Sequence, residues 1–318
     1  MPTLLEPPSA ELSSSQAADT LRASMAAVRL SFTWLGVRRT LNQEQRSQAA
    51  DTFGAEEDYV SAAKKLLDTS HPAFRAVTAV RSKIVNLWRA RSLAYPEPGI
   101  RLIRQTDVES FTRELAGLQD LLGNRVDELD QCYAELQAAA RLRLGQLFNP
   151  ADYPSSLEGL FAVSCDFPNV EPPEYLAQLC PRLYEEESAR VAARFAESVE
   201  LAEQAFSDEL TKLISHLIER LSGTDDGRPK VFRDSAVENL QEFFERFRQL
   251  NVRSNAQLEQ LVSQVQEITR GVTPPELRTR PPLRQQVATQ LSSVQAVLDG
   301  LLVDRPRRVL VRRARTGD

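Results

Sequence analysis

The residues of this chain best suited to chemistry with a partner are cations, and they fall in two blocks. Arg75, Arg81, Lys83, Arg89 and Arg91 lie between Asp68 and Glu97 with no carboxylate among them, and Arg101 and Arg104 follow. Basic groups spread along one helix can contact successive phosphates or an acidic protein surface. The same pattern also describes the solvated face of a helix whose other side is buried. The second block, "RPRRVLVRRARTG", holds Arg305, Arg307, Arg308, Arg312, Arg313 and Arg315, again without a carboxylate. Basic tails bind nucleic acid or acidic surfaces. Val309, Leu310 and Val311 equally suit an edge strand, and a tail without fixed structure is the third reading.

Bond-making chemistry has less to work with. No G-x-x-x-x-G-K-[ST] or G-x-G-x-x-G cradle occurs, so phosphate binding by a glycine-rich loop lacks its backbone. His71 precedes a proline at a helix start, and His216 lies between Ser215 and Leu217 inside a helix. Neither has an H-E-x-x-H context, and a G-x-S-x-G elbow is missing. Glu185, Glu186 and Glu187 sit near a helix start, where the helix dipole favours carboxylates without any catalytic role. Cys132, Cys165 and Cys180 are odd in number and widely spaced, which suits small buried or half-buried thiols rather than a disulfide framework or a metal pair. The expectation is a protein that is not an enzyme, with no catalytic, cofactor-binding or metal-ligating residue.

The background against which these cations stand is acidic, with a formal net charge of −5. That argues against a globally basic nucleic-acid or membrane binder. Twelve glycines in 318 residues and 7% aromatics favour long helices over an all-β fold. No apolar run approaches the ~20 residues of a bilayer span, and the opening "MPTLLEPPSAELSSSQ" has no basic region followed by an apolar one. A cytoplasmic location is expected.

Long helices position the cations. Phe74, Val77, Val80, Ile84, Leu87 and Trp88 recur at spacings of three and four, which predicts a helix from His71–Pro72 to about Ala94. The stretch "YPEPG" must end it, because Pro96 disfavours helix at Tyr95 and Pro98–Gly99 supplies a turn. Thr106, Asp107, Val108 and Glu109 have the pattern of a capping box. From there Val108, Phe111, Leu115, Leu118 and Leu122, then Val126, Leu129, Tyr133, Leu136 and Ala140 after a shift of phase, predict a rod reaching Phe148.

A second rod runs from Pro181 to Leu221 on Val191, Phe195, Val199, Phe206, Leu210, Leu213, Leu217 and Leu221. Shorter helices follow on Leu240–Leu250 and Leu258–Ile268, then a proline-rich hinge, "TPPELRTRPP", and a last helix carrying Leu283 to Leu298. Residues 42–67 read as helix broken near Gly54.

Three segments alternate instead. Val28, Leu30, Phe32 and Trp34 oppose Arg29, Ser31 and Thr33, Ile100–Ile103 is a short burst, and Phe161, Val163, Cys165 and Phe167 oppose Ala162, Ser164 and Asp166. Two strands alone are marginal in water, and three with an apolar face against a helix are not. The predicted fold is therefore mainly α, with a long antiparallel coiled-coil helical hairpin, a small antiparallel β head and a C-terminal helical segment. Its divisions are a flexible lead-in over 1–24, head and hairpin over 25–222, the helical segment over 223–303 and the arginine-rich tail over 304–318.

The "RLSFTWLGVRR" opening resembles a bacterial and phage family known as domain of unknown function 3150. So do the Gly99 break before a short strand and long helix, and the F-x-V-x-x-x-F element at Phe161, Val163 and Phe167. The resemblance covers about residues 25–220. It implies a helical accessory protein often encoded beside a MoxR-type AAA+ ATPase and a von Willebrand factor A domain protein, and hence an adaptor or substrate-recognition role. The expected partner is a protein, either an AAA+ ATPase or a second copy of the chain, and two other readings stand beside it: a nucleic-acid-associated protein using the basic helix and tail, and a phage structural component.

Overall fold

The computed structural model describes residues 13–222 and 235–304. In chain order the first elements are α1 (Ser14–Ser24), β1 (Met25–Trp34), β2 (Arg38–Thr40), α2 (Gln43–Phe53), β3 (Ala63–Lys65), α3 (Pro72–Ala90), β4 (Ser92–Ala94) and β5 (Ile100–Arg104). Then come α4 (Val108–Gln131), α5 (Tyr133–Leu144), β6 (Phe161–Asp166), α6 (Tyr175–Leu179) and α7 (Pro181–Ser222). Four helices close the described chain: α8 (Ser235–Leu250), α9 (Ala256–Thr269), α10 (Pro274–Thr279) and α11 (Pro281–Asp304). The fold is mainly helical with a small antiparallel sheet, and it divides into two compact units.

The sheet unit comprises Met25–Ser92 and Glu97–Val170. The three alternating segments pair as predicted. β1 lies between β5 and β6, antiparallel to both, with Val28 opposite Arg101, Leu30 opposite Cys165 and Trp34 opposite Phe161. Alternation turns Val28, Leu30, Phe161 and Val163 to the core and leaves Arg29, Ser31, Thr33, Ala162 and Ser164 exposed. The break at Pro96–Gly99 thus exists to deliver β5, and Gly99 makes the turn at φ 83°, a conformation that a side chain would strain.

α3 and α4 cover the core face. Phe74, Val77, Val80 and Ile84 of α3 meet Phe111, Leu115, Leu122, Val126 and Leu129 of α4 in one cluster with the strands. The expected rod is interrupted at Cys132, so it is two helices, although its stripe continues through Tyr133, Leu136 and Ala140. The capping box does not form. The Asp107 carboxylate is held by Arg104 through two bonds of 2.8 and 3.0 Å, and a 3-10 turn over Gln105–Asp107 leads into α4.

Residues 42–67 depart further from expectation. Asn42 and Gln45 form a capping box at the start of α2, and Gly54 closes the helix at φ 62°. The second half is not helical. Ala63–Lys65 forms β3, which pairs with β2 in a separate two-stranded ribbon.

In the helical unit (described parts of Met1–Ser24 and Glu171–Asp318, with Leu93–Pro96), α7 runs 42 residues, about 63 Å at 1.5 Å per residue. Its buried stripe is Val191, Phe195, Val199, Ala202, Phe206, Leu210, Ile214, Leu217 and Leu221, with Ile214 taking the inward place expected of Leu213. α11, α8 and α1 lie on it, and Phe206 meets Phe243 and Phe247 edge-on at 6.1 and 5.1 Å. The stripes of α4 and α7 are therefore each covered inside their own unit, and a coiled-coil hairpin between the two rods is not required to bury either. α7 groups with the C-terminal helices rather than with the head.

The lead-in expected over 1–24 is helical over its second half: α1 buries Ala17, Ala18 and Leu21. The "TPPEL" hinge is also helical. Thr273 and Glu276 make a capping box, and Pro274 occupies the first turn, where a missing N–H costs nothing. Among the described residues no helix is long and apolar enough to cross a membrane.

Candidate functional site

Four of the seven cations from Arg75 to Arg104 have partners inside their own unit. Arg81 lies over the rings of Phe32 and Trp34, 5.1 and 4.8 Å from their centroids, and so joins α3 to β1. Arg91 pairs with Glu114 of α4 at 2.6 Å. Arg101 donates to the Ser92 hydroxyl and carbonyl at 2.8 and 2.7 Å and covers Trp88. Arg104 is held by Asp107. Arg75, Lys83 and Arg89 are exposed on α3 with neither an ion pair nor a ring contact among the described residues. The tail residues Arg305, Arg307, Arg308, Arg312, Arg313 and Arg315 lie outside the described residues.

The other polar candidates are likewise structural or solvated. His71 ends the approach to α3 without a side-chain cap bond, and His216 is exposed, its Nε2 accepting from Arg220 at 3.4 Å. Glu186 and Glu187 pair along α7 with Arg182 and Arg190. They stand one turn further in than the helix start, so these pairs rather than the dipole explain them. Cys132 and Cys165 are half-buried, whereas Cys180 is exposed, contrary to expectation, because the chain breaks there between α6 and α7. Burial, reinforced by Asp166, pushes the Cys165 thiol up. No group of three or more His, Cys, Asp or Glu among the described residues is placed to hold a metal ion.

A second cationic feature escaped the sequence because its halves are 25 residues apart. β2 and β3 set Arg38 opposite Lys65 and Arg39 opposite Lys64. Lys64 is the buried member: its ammonium reaches Asp152 at 2.6 Å and the Leu147 carbonyl at 2.7 Å. Nearby the Tyr153 hydroxyl donates to the Leu66 carbonyl at 2.9 Å, and Arg143 bonds Asp68 at 2.8 Å. Arg143, with help from the Ser70 hydroxyl and N–H, holds the Asp68 carboxyl far below the ordinary range. These contacts anchor the ribbon to the α5–β6 connection.

Between the strands the chain makes an arm. Leu41 N–H bonds the Ala62 carbonyl at 3.0 Å at its base, α2 runs out, and a 3-10 turn over Glu57–Tyr59 lies against α2 through Arg46 and Glu57 at 3.7 Å. Phe53 and Tyr59 on this arm are 82% and 84% exposed. The arm thus presents charges and rings to solvent. No protein-family model matches the chain, and no curated protein or solved structure matches it.

Proposed function

We propose that the chain is a non-catalytic adaptor or scaffold, serving as an accessory or substrate-recognition partner of a MoxR-type AAA+ ATPase. One observation supports the reading above others: several charged side chains join elements to each other, while carboxylates and two large rings stand exposed on an anchored arm. Arg81, Arg91, Arg101, Lys64 and Asp152 all bridge separate segments of the sheet unit. The choice of ATPase rests on the resemblance over residues 25–220.

Purified full-length chain mixed with the MoxR-type ATPase of its own genome is expected to form a saturable complex and to change the rate of ATP hydrolysis. No complex and an unchanged rate would remove the ATPase from the proposal. The nucleic-acid reading has one observation of its own, the exposed Arg75, Lys83 and Arg89. It predicts duplex or single-strand binding that weakens steeply with salt and is lost in the triple glutamate variant.

A further inference from the structure

We propose that the arm between β2 and β3 is a self-association surface whose partner is the same arm on a second copy of this chain. The ribbon begins with an electrostatic conflict. Like charges directly opposite on paired strands repel, and Arg38–Lys65 and Arg39–Lys64 are both of this kind. Asp152 answers Lys64 alone. Arg38, Arg39 and Lys65 are exposed, with no ion pair among the described residues. Strands of three residues gain little to offset this repulsion.

The arm carries the opposite sign. Glu44, Asp51, Glu56 and Asp58 are exposed, and only Glu57 is answered, by Arg46. Phe53 and Tyr59 are exposed among these carboxylates. Elsewhere in the same unit the chain matches arginines to rings: Arg81 over Phe32 and Trp34, Arg101 over Trp88, and Arg141 over Phe148. On the arm both halves of that chemistry are present and unmatched. A nucleic acid would answer the three cations and be repelled by the carboxylates. A second copy answers both, since a two-fold axis lays each ribbon on the other's acidic, aromatic stretch. The inference shares with the adaptor reading only the use of the arm as an interface, and ATPase binding tests that reading separately.

Sedimentation equilibrium of the full chain tests it. At 50 mM salt a dimer is expected, with a dissociation constant that rises on the order of tenfold by 500 mM, where the screening length is only a few ångströms. A ribbon variant (Arg38→Glu, Arg39→Glu, Lys65→Glu) and an arm variant (Asp51→Lys, Glu56→Lys, Asp58→Lys) should each be monomeric alone and should pair when mixed. Restored pairing also shows that both variants fold. The proposal is overturned by a wild-type monomer at low salt, by variants that still self-associate, or by a mixture that stays monomeric. Ribbon-dependent binding of a 30-nucleotide single strand by a monomeric chain also overturns it, in favour of a nucleic-acid surface.

Discussion

Phe161→Ala is expected to destabilise the sheet unit by about 3–5 kcal/mol, the cost of emptying a large aromatic site in a packed core. Phe161 is 5% exposed and sits where three elements converge. It stands opposite Trp34 on the neighbouring strand, meets that ring edge-on at 4.9 Å, and meets Phe74 of α3 at 6.3 Å. Edge-on pairs add about 0.5–1.5 kcal/mol each beyond area burial. The measurement is convenient because both tryptophans of the chain, Trp34 and Trp88, lie in this unit. Tryptophan emission during urea unfolding therefore reports the sheet unit alone. A midpoint unchanged in Phe161→Ala would mean that Phe161 is not at the junction of β1, β6 and α3.

Asp152→Ala is the second large effect, expected at about 3–5 kcal/mol because it strands a buried cation. The Lys64 side chain is 6% exposed and that of Asp152 19%. Removing the carboxylate leaves the ammonium with the Leu147 carbonyl as its remaining close partner. Lys64→Met should cost less, about 1–3 kcal/mol, since it leaves a better-solvated carboxylate and one carbonyl short of a donor. Replacing both with apolar residues of similar size should recover most of the loss. The ordering of the three variants, read from the same emission curves, is the signature of an anchoring pair. Equal, small effects would place the ribbon loose on the surface.

How far the sequence revealed this structure follows from the length over which each signal repeats. The alternation runs over seven residues at Val28–Trp34 and over seven at Phe161–Phe167, one past the end of β6, long enough for the period of two to stand out, and the proline–glycine break at 96–99 pointed to the third strand. The stripe of α7 was readable for the same reason. Its one slip, Leu213 for Ile214, is a choice between adjacent apolar residues that periodicity alone does not separate. The ribbon was not readable because β2 and β3 are three residues each, too short for any period. Residues 55–67 consequently passed for helix. Local motifs misled in both directions. Thr106–Glu109 has the letters of a capping box, yet Thr106 falls inside the 3-10 turn before α4 and the Glu109 carboxylate accepts from Arg113 at 2.6 Å instead. Thr273–Glu276 makes a real box inside a stretch whose prolines suggested a hinge.

The candidate site was less legible than the fold, for a physical reason. A row of arginines looks the same in sequence whether it faces water, a carboxylate or a ring. Four of the seven cations between Arg75 and Arg104 face partners inside the unit, and only pairing of distant strands brings Arg38, Arg39 and Lys65 together.

The register of β1 on β6 decides where the arm leaves the sheet, since β2 begins only four residues after Trp34. That register places Leu30 opposite the native Cys165. Directly opposed antiparallel residues have Cα atoms about 4.5–5.5 Å apart, within the span of a disulfide. In a chain with Cys132 and Cys180 replaced by serine, Leu30→Cys should oxidise to an intramolecular bond with Cys165. Ser31→Cys, which points to the other face, should leave both thiols free. Peptide mapping that found the bond at position 31, or at neither, would contradict the sheet on which the arm and its proposed contacts are built.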